Sequence, residues 1–242
     1  MGNHIMSLRL AVGIALCPFP AGAQAAPSVV PDVDTGPLGN SRYAVMEMLL
    51  EKTIFKVNVL RLEVRVDTAT ARRLESLVRS AHRRQEVEDS IALAVLAAPH
   101  AMARVTFERN ISLKQFLDAV EDGMQKTADA GWLSEEEFLD INGWMPRWFG
   151  FLAEDGIRDG DVITYRLSGD TLRTVYRTVS GDIPFDEILV GRKHRYGVLG
   201  AYFAPKSSFR KKLLRSLFRD SRSVHRGRLA QGAAGQRTPW GF

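Results

Sequence analysis

Two stretches of sequence decide the fold, RVTFERNISLKQ at residues 104–115 and DVITYRLSGDTLRTVYRT at residues 161–178. The first predicts a strand over residues 104–109 and then a helix, because Ser112 opens the capping-box pattern Ser-Leu-Lys-Gln. The second predicts two strands joined by Ser-Gly-Asp at residues 168–170, which is typical of a hairpin. A strand, a helical layer and a return to antiparallel strands predict an α+β domain with helices on one face of a sheet.

Hydrophobic periodicity extends this pattern toward the C-terminus. Ser134 begins a second capping box, which predicts another helix that Asn142-Gly143 interrupts. Residues 184–190 indicate either the start of a helix or an edge strand. The last helix is expected to begin at residues 205–208, and its periodicity is lost after Arg219.

The clearest strand signal lies upstream, in residues 53–66, where apolar and polar side chains alternate. The apolar positions change parity between Val59 and Leu60, and a slip of one residue moves every later side chain to the other face of a sheet. We therefore expect one long, bent strand with a bulge at this point. Two helices are predicted to follow, over residues 70–80 and 86–96.

The N-terminal region has the composition of an export signal. Arg9 supplies a short positive region, residues 10–15 an apolar stretch and residues 23–25 an Ala-x-Ala cleavage site. An uncleaved, disordered N-terminus is the alternative interpretation. With cleavage, residues 1–25 are a signal peptide, and the mature protein is expected to be periplasmic or secreted. Residues 26–42, which are rich in proline and glycine, predict a flexible linker before a domain over residues 43–219.

The net charge of +5 is concentrated near the C-terminus. Between Arg210 and Arg228 the sequence has eight lysines and arginines and a single acid, Asp220. We expect residues 220–242 to form a disordered basic tail, with anionic lipid as a possible partner through salt-sensitive attraction. Nucleic acid is not expected as a partner of an exported protein. A solvated helix face followed by a disordered end is the simpler alternative.

Several kinds of chemistry lack the residues that they need. Cys17 is the only cysteine, so the chain cannot build a disulfide framework or a cysteine metal site. The five histidines are scattered without metal-binding spacing, and no phosphate loop or nucleophile elbow is present. We therefore expect neither a metal nor a cofactor. The mature chain also has no apolar segment long enough to span a bilayer.

Three stretches in this order resemble the chalcone isomerase family, especially its bacterial chalcone-isomerase-like members: residues 52–59, residues 104–167 and residues 201–209 with the helix that follows. The order and spacing of the elements carry the resemblance, which covers most of residues 43–219. It implies an open-faced antiparallel sheet packed against a layer of helices, with a ligand cleft between them.

The residues on which the family's chemistry depends do not match. The plant isomerases hold a phenolate with an arginine and a threonine on the first strands and a tyrosine and an asparagine on a helix. These positions align with Leu50, Lys56, Gln115 and Asp122. Fatty-acid-binding members hold a carboxylate with an arginine and a tyrosine, which align with Leu50 and Glu63. The resemblance therefore implies a member without the isomerase machinery.

We predict a non-catalytic protein that binds a small apolar or fatty-acid-like ligand through Lys56, Asn58 and Tyr165. Lys56 and Asn58 point away from the apolar strand face, where a lysine could meet an anionic head group. Tyr165 could supply a hydroxyl to the ligand. A solvated strand face and a half-buried sheet tyrosine explain the same residues without a ligand.

Two other functions remain open at this point. The protein could be an intramolecular lyase or isomerase with a divergent set of groups, such as Lys56 with Tyr165, or an interaction protein that acts through its basic C-terminal segment. Large rings at helical spacing could wall an apolar pocket, although core packing is their more ordinary use. The four such side chains are Trp132, Trp144, Trp148 and Phe149.

Overall fold

A computed structural model describes residues 38–218 of the chain, except residues 53–56 and 83. The predicted signal peptide, the predicted tail and most of the linker lie outside the described residues. Six strands form one antiparallel sheet in which each strand pairs with the next along the chain. The strands are β1 (Val45–Lys52), β2 (Val57–Val66), β3 (His100–Phe107), β4 (Val162–Ser168), β5 (Thr171–Arg177) and β6 (Phe185–Val190).

Two pairs of helices separate β2 from β3 and β3 from β4, and a third pair follows β6. Short 3-10 helices occupy Arg42–Ala44 and Gly150–Leu152. Within the described part of the chain, no helix is both long and apolar enough to span a membrane. The helices are α1 (Thr68–Ser80), α2 (Arg84–Leu96), α3 (Leu113–Asp129), α4 (Glu135–Trp148), α5 (Arg192–Phe203) and α6 (Arg210–Leu217).

The core lies between one face of the sheet and the helices. Buried and partly exposed side chains alternate along β3, β4 and β5, so one sheet face is covered and the other is open. Leu62, Ala103, Ile163 and Leu167 on the covered face are fully buried. This arrangement confirms the predicted α+β class with an open-faced antiparallel sheet and a helical layer.

The predicted bulge is present in β2. Leu50 pairs with Leu60 but Glu51 pairs with Asn58, so Val59 is the extra residue opposite β1. Val59 is buried, and so are Leu62, Val64 and Val66 on the far side of the bulge, so the apolar positions of β2 face the core across the change in parity at Val59. The strand itself begins at Val57, later than the predicted 53–66, and residues 53–56 lie outside the described part.

Both predicted capping boxes are formed. Ser112 Oγ accepts from the Gln115 amide N–H at 3.2 Å, and Gln115 Oε1 accepts from the Ser112 amide N–H at 3.1 Å. Ser134 and Glu137 make the same pair of bonds at the start of α4. These bonds satisfy amide donors that a helix start would otherwise leave unpaired.

In the second half of the fold, one prediction needs correction, one open alternative is decided and one helix is new. Helix α4 continues through Asn142-Gly143, because Ile141 and Met145 on either side are buried and their packing outweighs the low helix propensity of glycine. The segment after the hairpin is strand β6, which is the second of the two alternatives given for residues 184–190. Helix α5 was not predicted at all, because Gly197 and Gly200 weaken its helical signal.

The glycines of α3 and α5 allow these helices to approach closely. A Cβ atom at Gly200 would lie 2.3 Å from Thr127 Cγ2, and one at Gly123 would lie 2.9 Å from Ala201 Cβ. Thr127 is fully buried, and its hydroxyl donates to the Gly123 carbonyl at 3.0 Å. The helix pair therefore depends on the absence of side chains at two positions.

Arg195 fixes the beginning of α5. Its buried guanidinium donates to three carbonyls: Leu96 O at 2.8 Å, Gly169 O at 2.6 Å and Ala98 O. The first of these belongs to the last turn of α2, where the helix dipole favours a cation. A single side chain thus joins α5 to the end of α2 and to the β4–β5 turn.

Part of the basic C-terminal segment belongs to the folded domain. Arg210 is buried, donates to the Phe203 carbonyl at 3.3 Å and pairs with Asp89 at 2.5 Å. Lys212 donates to the Leu49 carbonyl at 2.9 Å. These two cations hold α6 against the fold, so the prediction of a solvated basic helix face is wrong for them.

The α3–α5 contact yields a stability test. Gly200→Ala is expected to lower the free energy of unfolding by about 1–3 kcal/mol, because the new methyl group collides with buried Thr127. The matched control is Gly143→Ala at an exposed position of α4, where a Cβ meets nothing within 4 Å. That variant is expected to gain about 0.5–1 kcal/mol through helix propensity. Urea denaturation measures both, and equal effects would contradict the steric explanation.

Candidate ligand-binding cavity

A cavity of about 650 Å³ lies between the covered face of the sheet and helices α3, α4 and α5, and we call it the central cavity. All six strands contribute to its wall, which is mostly apolar. Cavities of this size and character are typical of small-molecule sites. Representative apolar wall residues are Leu50, Val59, Phe107, Phe116, Ile163 and Leu189.

Small residues on the helices leave this space open. Ala119 and Gly123 on α3 and Gly197 and Ala201 on α5 all line the cavity. Interiors are otherwise filled to near-crystal density, so large side chains at these four positions would be expected to occupy the volume. The small residues through which α3 and α5 approach each other therefore also leave the helical side of the cavity without large side chains.

Of the three predicted ligand-binding residues, the structure describes the side chain of Tyr165 alone. Tyr165 lies in the cavity wall on β4 and is 8% exposed. Lys56 lies outside the described residues, and only the backbone of Asn58 is described, in β2 opposite Glu51. The ligand-binding roles of all three residues stay predictions.

Four residues of the wall carry a hydroxyl, and three of them belong to the sheet and α5: Tyr165 on β4, Thr174 on β5 and Tyr202 on α5. We call these three the hydroxyl cluster; the fourth, Ser208, lies between α5 and α6. Tyr165 and Thr174 are paired across the two strands. Burial raises the pKa of both phenols well above the ordinary value, and the Tyr165 phenol raises the pKa of Tyr202 further. Both tyrosines are therefore neutral hydrogen-bonding groups near neutral pH.

Arg109 is the cation of the wall that sequence reasoning missed. Its Nε is buried and has no hydrogen-bond partner among the described residues. The adjacent Glu108 does not neutralise it, since Glu108 pairs with Arg61 at 3.3 Å. The sequence carried a signal for it: in the predicted strand over residues 104–109, Arg109 has the same parity as Val105 and Phe107, which point inward, although β3 itself ends at Phe107.

His194 lines the cavity at the start of α5, with its ring centroid 6.2 Å from that of Trp148. Burial lowers the pKa of His194, and the cationic Lys193 lowers it further, while Asp140 acts in the opposite direction. Lys193 and Asp140 themselves form an ion pair at 2.5 Å. His194 is therefore a neutral imidazole near neutral pH.

The positions aligned with the family's chemistry lie partly at the cavity. Leu50, Gln115 and Asp122 line it, but Gln115 is engaged in its capping box and Asp122 pairs with Lys126 at 2.5 Å. Glu63 pairs instead with Arg65 on its own strand. None of these positions presents a cation or a tyrosine to the cavity.

The four aromatic residues divide between the two uses considered for them. Trp148 and Phe149 line the cavity. Trp132 packs against the core, and Trp144 is 45% exposed with the guanidinium of Arg147 over its ring. Two of the four aromatic residues therefore line the cavity, and the other two lie outside its lining.

Comparison with known proteins gives a match at the level of structure alone. No protein-family model matches the chain, and no curated protein matches its sequence. The crystal structure of a fatty-acid binding protein of Arabidopsis thaliana is similar with a TM-score of 0.50 and 13% sequence identity. The match covers 75% of this chain and 91% of that one. At this identity the likeness establishes the fold, which is chalcone-isomerase-like as predicted.

The environment of His194 predicts a measurable titration. Its NMR midpoint is expected below the ordinary value of about 6.5, to rise in Lys193→Gln and to fall in Asp140→Asn. Since the unfolded chain binds this proton more readily, stability is lost as pH falls from about 6.5 toward the folded pKa. His194→Gln should lose less stability over that range, and an unchanged pH profile would argue against burial as the cause.

Proposed function

We propose that this chain is a non-catalytic binding protein for a fatty-acid-like amphiphile, with the acyl chain in the central cavity and the carboxylate at Arg109. The observation that carries the proposal is a guanidinium in a mostly apolar wall whose Nε is buried and has no hydrogen-bond partner among the described residues. The similar Arabidopsis protein is a fatty-acid binding protein, which supports the same class of ligand here.

The energetics of the wall favour a ligand with this division of character. A buried donor without an acceptor costs free energy, and a carboxylate can accept two parallel bonds from one guanidinium. The apolar side chains gain about 25 cal/mol for each Å² of apolar surface that a hydrocarbon chain removes from water. A wholly apolar ligand would leave Arg109 unpaired. A small polar ligand would leave the apolar side chains of the wall in contact with water.

Binding without catalysis is also supported by the groups that the wall lacks. A leucine, Leu50, stands where the isomerases have an arginine to hold the substrate oxyanion. The raised pKa of Tyr165 makes its phenol a poor proton acceptor or donor for general acid–base catalysis near neutral pH. We therefore rank a divergent isomerase that uses Tyr165 behind the binding function.

The proposal predicts a specific effect of charge removal. Arg109→Gln is expected to weaken binding of hexadecanoic acid by about tenfold to a hundredfold, because a charge-assisted bond is lost. Arg104→Gln is the matched control, since Arg104 lies five residues before Arg109, in β3, but is exposed on the open face of the sheet. Competition with a fluorescent fatty acid measures both variants and the wild type.

Two results would count against this assignment. Equal weakening in the two variants would indicate a general charge effect and not an anchor at Arg109. Failure of the wild type to bind any fatty acid, in a protein that unfolds cooperatively, would remove the binding function itself.

We further propose that the protein is exported, on the basis of the signal pattern in residues 9–25. Expression of the full chain in a bacterial host is expected to give a mature protein that begins at Ala26. Ala25→Leu removes the small residue before the cut and should leave the precursor uncleaved. Intact-mass measurement distinguishes the two forms, and an uncleaved wild type in the cytoplasm would overturn the proposal.

A further inference from the structure

We infer that the ligand carries a second oxygen, a hydroxyl or carbonyl within its apolar part, which binds to the hydroxyl cluster of Tyr165, Thr174 and Tyr202. This inference rests on the proposed binding function and narrows the ligand to hydroxy- or oxo-substituted fatty acids. It is carried by a different part of the cavity from the one that holds Arg109.

The first step is the arrangement of the cluster. Its three residues come from β4, β5 and α5, so they approach the cavity from both the sheet and the helical layer. Tyr165 and Thr174 are 8% and 5% exposed. Among the described residues, no hydrogen bond joins any of the three hydroxyls to a protein partner, whereas the nearby Tyr176 donates its hydroxyl to buried Asp161.

The second step is the cost of covering such hydroxyls with hydrocarbon. Protein interiors seldom leave buried polar groups unpaired, and a hydroxyl that faces a cavity is satisfied there by water or by a ligand. A methylene chain that displaces the water cannot replace its hydrogen bonds, and affinity is lost. A ligand oxygen at the same depth can accept from a phenol or donate to one, and that loss is avoided.

The third step is position along the cavity. Tyr165 pairs with Ala103, four residues before Phe107 on β3, and Arg109 lies two residues beyond Phe107. Four residues of strand span roughly 13 Å, so the cluster lies well away from the anchor. The second oxygen is thus expected in the middle of the chain and not beside the carboxylate.

The charge state of the cluster defines the kind of oxygen. Burial keeps both phenols protonated, so they offer two donors as well as acceptors. A second carboxylate would bring an anion into a wall where no cation other than Arg109 has been found among the described lining residues. A neutral hydroxyl or carbonyl fits both constraints.

The test compares acids of equal length on the full mature chain. The probes are octadecanoic acid, its 8-, 10- and 12-hydroxy derivatives and, as a positional control, 2-hydroxyoctadecanoic acid. At least one mid-chain hydroxy acid is expected to bind the wild type about fivefold or more tightly than octadecanoic acid, and the 2-hydroxy acid within about twofold of it.

Variants then locate the effect. Tyr202→Phe and Thr174→Val are expected to reduce the preference for the mid-chain hydroxy acid with little change in the binding of octadecanoic acid. Arg109→Gln should instead weaken all the acids by a common factor. Thermal unfolding confirms that each variant is folded, and Tyr165→Phe provides a third, independent removal of one hydroxyl.

The possible results distinguish a failure of the preference for a second oxygen from a failure of fatty-acid binding itself. Octadecanoic acid binding as tightly as every hydroxy isomer, or a preference unchanged in all three hydroxyl variants, would overturn the inference while the binding function stands. Failure of all the acids to bind the wild type would overturn both.

Discussion

The close crossing of α3 and α5 sets the geometry on which the central cavity depends. Because Gly200 meets Thr127 and Gly123 meets Ala201 without intervening side chains, the two helices lie together as one layer above the sheet. Arg195 holds the beginning of α5 to α2 and to the β4–β5 turn. Because these contacts hold the helices in place, the helical layer does not move onto the sheet and fill the central cavity.

Burial makes the central cavity electrostatically simple. His194 and the two wall tyrosines are kept neutral by desolvation. The carboxylates of α3 that reach the wall, Asp118 and Asp122, are each compensated by a lysine one turn away. Among the described residues, Arg109 is therefore a wall cation without a counter-ion, and it is the proposed anchor for a ligand head group.

The sequence predicted the fold where local chemistry determines it. The capping boxes at Ser112 and Ser134 and the parity change at Val59 each act over a few residues, and each is present in the structure. Helix α5 could not be found in the same way, because Gly200 and Gly197 are favourable only when α3 and α4, respectively, lie against them. Tertiary packing likewise carries α4 through Asn142-Gly143.

The cavity was less accessible to sequence reasoning. The strand predicted over residues 104–109 could have identified Arg109, since Phe107 and Arg109 share a parity in it. Thr174 and Tyr202 gave no comparable signal, because their relation to Tyr165 depends on how distant elements pack.

The order of the strands has a consequence for the kinetics of folding. Each strand pairs with its neighbour in sequence, so β4 and β5 close across two residues, and the helix pairs on either side of β3 form the long loops. Since loop closure is slow for distant segments, the registry of β3 between β2 and β4 is expected to limit the folding rate.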